Sequence, residues 1–211
     1  RENIEIMVDK PVLCVYSKEK KDVSIRLKIK GELRFSYPEL LVQEEMYQWK
    51  MTIKDNDFTN QKGQSFPYLF CDSKQINTKY LMQQEELPGK VISKKEVIPY
   101  LDSVCDFMNF EMKEKTDFIT YWGPRLIEKE FCFIQFQTLE QCNQFAEYEI
   151  EPKPEFFNRF YILFTGFDFY PKEIKAKHQI LLPFQKGNYS FLEWGGANLP
   201  SLPENLFSQN N

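Results

Sequence analysis

Over the first third of the chain, apolar residues alternate with polar ones, the two-residue period of half-buried β-strands. Ile4, Ile6 and Val8 begin the pattern. Residues 11–16 follow as a short apolar run. Val23, Ile25, Leu27 and Ile29 then alternate with Ser24, Arg26 and Lys28, and Gly31 closes that strand. Leu33, Phe35 and Tyr37 keep the period up to Pro38. Residues 46–53 predict another strand, closed by the turn-rich Lys54-Asp55-Asn56-Asp57. Residues 66–71 predict a short one, and Pro67 inside it points to a sheet edge.

The period changes in the middle. Val97, Ile98, Leu101, Val104, Cys105 and Met108 fall at helical spacing. Ser93 and Glu96 have the spacing of a capping box, but Pro99 lies too deep for a helix that starts at Ser93. The helix is therefore placed over 99–108. A second is expected from Thr116, with Phe118, Ile119, Trp122, Leu126 and Ile127 on one face, kinked or split at Gly123-Pro124. Strands return over 131–137, 148–150, 159–166 and 188–194, with a short helix within 138–145. Phe160, Ile162 and Phe164 oppose Tyr161, Leu163 and Thr165, so the 159–166 strand should be covered on both faces. Gly195-Gly196 should stop the last strand.

Strands, then helices, then strands predict an α+β fold: mostly antiparallel sheet with a two-helix insertion in the middle. A β-sandwich with a helical insertion is the alternative. Residues 1–198 read as one globular domain and 199–211 as an extended tail.

Composition narrows the functional classes. With 42% hydrophobic residues, including 20 Phe, 11 Tyr and 3 Trp, the chain has the apolar area that a disordered chain lacks. The net charge of −4 is interspersed. No basic stripe exists to neutralise a row of phosphates, which argues against nucleic acid as a partner. No apolar run approaches the roughly 20 residues of a membrane-spanning helix. The chain opens on Arg1 rather than Met, from which we expect an upstream segment: a signal peptide, a pro-segment or more protein.

The five cysteines, at 14, 71, 105, 132 and 142, contain no C-x-x-C. They read either as buried thiols or, in an oxidising compartment, as one or two disulfides with a thiol left over. Cys132 with Cys142 is the candidate pair, because a strand-to-helix reversal would bring them together. Asn188-Tyr189-Ser190 is the one glycosylation sequon.

Several short motifs occur together in order. They are Lys10-Pro11-Val12-Leu13-Cys14-Val15-Tyr16, Gly31-Glu32-Leu33 with Tyr37-Pro38, Trp49-Lys50-Met51 and Tyr68-Leu69-Phe70. Tyr121-Trp122-Gly123-Pro124-Arg125-Leu126, Ile134-Gln135-Phe136-Gln137, Pro152-Lys153-Pro154 and Glu193-Trp194-Gly195-Gly196 follow. In this order they resemble a group of bacterial secreted or envelope proteins of unknown function, over about residues 8–196. The resemblance implies a single, secreted domain and supplies no reaction or site residues. Cys14 departs from the group's aliphatic or aromatic residue, which the resemblance ties to a disulfide particular to this chain.

Catalytic chemistry finds little purchase. The single histidine, His178, excludes a multi-histidine metal site. No G-x-S-x-G surrounds a serine, and eight glycines match no phosphate loop. Asp55-Asn56-Asp57 lacks the glycine and glutamate of a calcium loop and reads as a hairpin turn. Neither a cofactor nor a metal is expected. Paired carboxylates acting on a glycosidic bond need only two acids, and Glu193, beside Trp194 and Gly195-Gly196, is the best candidate. Its bland counterpart is a strand end with a core tryptophan. Tyr121, Trp122 and Trp194 are candidate interaction aromatics, weighed against ordinary core packing.

The expected function is a non-enzymatic structural or interaction module, a processed extracellular protein in a larger, self-associating assembly, a filament being one form of it. Ile4, Ile6 and Val8, on a strand-like terminus, would add to a neighbour's sheet edge or pair in their own sheet. A carbohydrate-active hydrolase and a carbohydrate-binding module are the alternatives.

Overall fold

On β2 (Lys21–Ile29), Val23, Ile25 and Leu27 are buried while Asp22, Arg26 and Lys28 are exposed, as the alternation predicts. The computed structural model describes residues 6–43, 46–75 and 87–199. Its chain divides into two units, the first comprising Arg1–Thr78, Gln137–Tyr161 and Gln185–Ala197, the second Lys79–Phe136, Ile162–Phe184 and Asn198–Asn211. The architecture is α+β, dominated by antiparallel strands, with two helices in the middle of the chain.

In the first unit, β2 pairs antiparallel with β5 (Met46–Lys54) on one side and β12 (Ala146–Glu151) on the other. β5 turns into β6 (Asp57–Thr59) through Asp55 and Asn56, at φ 53° and 63° in the left-handed region. Two consecutive left-handed residues make the hairpin turn that matches strand twist, and Asp and Asn tolerate it. The 54–57 turn is thus a hairpin, held further by the Ser17 N–H donating to Asn56 Oδ1 (2.8 Å). β7 (Ser65–Phe66) ends this sheet, and β4 (Leu41–Gln43) pairs with β5. The expected strand over 66–71 is two strands, because Pro67 has no N–H to continue the ladder. β8 (Leu69–Gln75) begins after it and joins a different sheet.

That other sheet sets β1 (Ile6–Ser17) between β8 and β15 (Tyr189–Asn198), with β3 (Glu32–Tyr37) outside β8. Side chains of both sheets share one core, with Leu13, Leu69 and Phe191 from one and Ile25, Trp49, Ile53 and Phe58 from the other. β15 is not stopped at Gly195-Gly196 but runs through it. A Cβ on Gly195 would sit 3.1–3.3 Å from the Pro11 Cα and the Asp9 and Lys10 carbonyl oxygens. The glycine admits the close approach of β1 where its register shifts between Asp9 and Val12.

In the second unit, β10 (Lys90–Ser93) pairs with β11 (Phe131–Gln137). α1 (Val97–Phe107) starts two residues ahead of expectation. Pro99 is tolerated in its first turn, where N–H groups need no helical partner. The Ser93 N–H and Oγ both donate to Glu96 Oε2 (3.0 and 2.7 Å) in the turn before it. α2 (Met112–Leu126) begins four residues earlier than expected, where the Glu111 N–H donates to Glu114 Oε2 (2.9 Å). It is not split at Gly123-Pro124. Lys115 Nζ ties α2 to α1 through Asp102 and Asp106, at 2.7 Å each. Phe118, Trp122 and Leu126 face inward, and Trp122 meets Phe164 edge-on at 6.0 Å. β13 (Phe156–Phe167), which belongs to the first unit up to Tyr161 and to the second from Ile162, is buried continuously over residues 159–165.

The expected Cys132–Cys142 bridge is not formed, and no disulfide joins cysteines among the described residues. Cys132 is buried on β11, opposite Ile92 of β10. Cys142 ends the four-residue α3 (Leu139–Cys142), and its Sγ donates to the Gln137 carbonyl at 3.6 Å. Each thiol serves as a small core residue in its own setting.

Candidate functional site

Glu193, the best candidate acid, lies in the middle of β15 at 1% exposure. Its Oε2 accepts from Arg159 Nε of β13 at 2.6 Å, and its Oε1 accepts from the Tyr148 hydroxyl of β12 at 2.7 Å. Arg159 Nη1 also donates to Asn143 Oδ1 (2.8 Å) and to the Ala146 carbonyl (2.6 Å). The rings of Tyr148, Phe145, Phe157 and Tyr161 stand 5.1–5.9 Å from its guanidinium carbon, within cation–π range. Burial works against the Arg159 charge, and the Glu193 carboxylate more than offsets it, so the guanidinium is held above its ordinary value. Burial, reinforced by Glu193, likewise pushes the Tyr148 and Tyr161 phenols well up. Sealed between an arginine and a tyrosine, Glu193 is a structural carboxylate without access to a sugar.

Trp122 and Trp194 are 0% and 1% exposed, so both fill core rather than surface. Tyr121 is partly exposed, with the Arg125 guanidinium carbon 3.7 Å from its ring centre and Arg125 Nη1 donating to its carbonyl (2.6 Å). Ile4 lies outside the described residues, as do the tail residues beyond Leu199. Ile6 and Val8 belong to β1 and pair with Gln75 and Ser73 of β8. Val8 is buried. This segment therefore completes its own sheet, the second of the two options its pattern offered. Asn188 is exposed just ahead of β15, and His178 is exposed in the second unit.

The surface that stands out lies elsewhere, on β3 and β4. Leu33, Phe35 and Tyr37 share a face by their spacing, yet only Leu33 packs on the core. The β3–β8 register shifts between Leu33 and Phe35: Leu33 pairs with Ser73, while Phe35 pairs with Asp72. One extra residue, Arg34, reverses which face later side chains take. Phe35 and Tyr37 consequently emerge at 57% and 60% exposure, followed by Leu41 at 58% and Val42 at 72%. Phe35 leans on Phe70 (6.0 Å) and Tyr37 meets Phe66 edge-on (5.5 Å). Phe35, Tyr37, Leu41 and Phe66 border a groove of about 460 Å³ that reaches Trp49, whose indole N–H donates to the Pro38 carbonyl at 2.8 Å. β3 pairs with β8 alone among the described residues, leaving its outer edge open. The sequence pattern put Phe35 and Tyr37 on one face with Leu33 and passed over Leu41 and Val42.

Among the described residues no cluster of His, Cys, Asp or Glu could hold a metal ion, and no helix is long and apolar enough to cross a membrane. Compared with known proteins, the chain matches no family model, no curated protein and no solved structure.

Proposed function

We propose that this chain is a non-enzymatic interaction module, assembling with protein partners, further copies of itself included, through the open edge of β3 and the adjoining β4. The observation that carries the reading is the exposure of Phe35 and Tyr37 on the edge strand β3, followed by that of Leu41 and Val42 on β4. An open edge offers unpaired main-chain donors and acceptors, and proteins usually blunt such edges with charge or cover them. β3 does carry the exposed charges Glu32 and Arg34, yet Phe35 and Tyr37 beside them present exposed aromatic rings. Strand addition uses both features: main-chain hydrogen bonds supply affinity and side chains seat in pockets. The groove beside Tyr37 is where a partner's side chain would lodge. That the assembly is extracellular rests on the resemblance set out above and on the exposed sequon at Asn188.

The test is native mass by size exclusion with light scattering, for the unaltered chain and for Phe35→Lys/Tyr37→Lys. The unaltered chain should run above the 25.3 kDa of a monomer, with the mass rising as concentration rises. The double variant should fold and run as a monomer. A native chain that stays monomeric at every concentration, or a variant that assembles as well as the native chain, overturns the reading.

A further inference from the structure

The second unit holds a groove of about 520 Å³, within the roughly 300–1,000 Å³ typical of small-molecule sites. It is independent of the β3–β4 edge. Four segments build it. Lys90 comes from β10, Tyr100 from α1 and Phe136 from β11, while Lys175, His178 and Gln179 come from the strap around β14 (Ala176–Lys177).

The strap is fastened in three ways. β14 pairs in parallel with β9 (Leu87–Pro88). The Gly89 N–H donates to the Lys177 carbonyl at 2.8 Å. Gln179 then uses its side-chain amide as a neighbouring strand would use its backbone. Its Oε1 accepts from the Phe136 N–H at 2.9 Å, and its Nε2 donates to the Phe136 carbonyl. The groove is therefore a held shape, not a gap beside a loose loop.

Its lining is segregated. Phe136 is buried at the base, and its ring lies 6.3 Å from that of half-buried Tyr100 at a 33° tilt. Lys90 Nζ stands over the Tyr100 ring at 5.0 Å. Lys175 and His178 are exposed at the rim. Among the described residues no carboxylate lines the groove, and none of these three basic side chains forms an ion pair. In a chain with an excess of acidic residues, a groove with basic groups alone around an aromatic base is a departure from the interspersed charge elsewhere.

We infer that this groove binds a small anion carried on a flat ring, an aryl phosphate or aryl carboxylate. The ring would lie against Tyr100 and Phe136, where offset aromatic contacts favour it. The anionic group would meet Lys90, Lys175 and His178, whose hydrogen bonds to an anion are charge-assisted. Neither half of the ligand suffices alone, because exposed cations hold a free anion weakly in water.

The single histidine supplies a site-specific reporter: its imidazole Cε1–H proton resonance needs no further assignment. The full chain is titrated with phenyl phosphate, with inorganic phosphate and with benzyl alcohol. Phenyl phosphate should shift the His178 resonance saturably, and inorganic phosphate and benzyl alcohol should each bind at least about tenfold more weakly, a difference of about 1.4 kcal/mol. Lys90→Gln/Lys175→Gln should weaken phenyl phosphate by about tenfold while the circular dichroism spectrum is unchanged. Lys153→Gln, in the other unit, should leave binding as it was. The inference is overturned by the absence of a saturable shift, by inorganic phosphate binding as tightly as phenyl phosphate, or by the Lys90→Gln/Lys175→Gln variant binding as well as the native chain.

Discussion

Arg159 donates its Nε to Glu193 across 2.6 Å with both side chains sealed from solvent. Two charges have been taken out of water, and Arg159 Nη2 has no hydrogen-bond partner. Such a pair recovers its desolvation cost only in part, yet breaking it leaves a lone buried charge. Glu193→Gln should therefore destabilise the protein by about 3–5 kcal/mol. Arg159→Met/Glu193→Met should cost less than the two single changes added together. Urea unfolding of the four proteins measures the coupling, and strictly additive losses would show that the pair does not act as a unit.

Burial pushes the Cys71, Cys105 and Cys132 thiols up to about 12, with Glu193 adding to the effect at Cys71. A buried thiol is a poor nucleophile, because the thiolate is the reactive form. Under native conditions near neutral pH a thiol reagent should modify only the partly exposed Cys14 readily, the other four reacting on unfolding. The same shifts set a pH dependence. Unfolded thiols ionise near the ordinary value of 9.0 while folded ones remain neutral to about 12. The stability they contribute is complete below pH 9 and is lost as pH rises toward 12. Unfolding midpoints at pH 8, 9.5 and 11 would reveal the loss, and a flat profile would refute it.

Gly89 lies at φ 154°, and a Cβ there would fall 2.5 Å from both the Ile134 carbonyl oxygen and the Phe133 ring. The backbone oxygen cannot step aside without moving β11. Gly89→Ala should cost more than the roughly 1–3 kcal/mol of ordinary overpacking, and should weaken phenyl phosphate binding in the protein that still folds. A thermal melt within a degree of the native chain would contradict this.

Ile162 is fully buried at the centre of β13. Ile162→Ala should cost about 2–5 kcal/mol by removing apolar contact and leaving a cavity. A loss below about 1 kcal/mol in urea unfolding would show that the neighbouring side chains collapse into the space.

The local elements were legible in the sequence because neighbours along the chain decide them. β2 and β11 follow from their alternation and apolar run, and α1 from its 3.6-residue spacing, although Pro99 drew the expected start two residues too late. The Asp55-Asn56 hairpin follows from two residues that accept left-handed backbone. What the alternation could not disclose is where it breaks. Arg34 looks like any polar residue between two apolar ones, and only its pairing with β8 makes it the extra residue that turns Phe35 and Tyr37 outward. Gly195 reads as a stop until β1 is seen pressed against it. Arg159 and Glu193 are 34 residues apart; Glu193 reads as a candidate acid at a strand end and Arg159 as the start of an apolar strand, and nothing along the chain joins them. The basic groove draws on four segments; the sequence noted His178 as the one histidine and Phe136 within a strand, with nothing along the chain to join them. Periodicity depends on residues two to four positions apart, whereas register, bulges and buried pairs depend on which strands meet. Those meetings are settled by the whole core at once, so the elements belong to the sequence, and the exposed edge, the sealed ion pair and the groove belong to the tertiary fold.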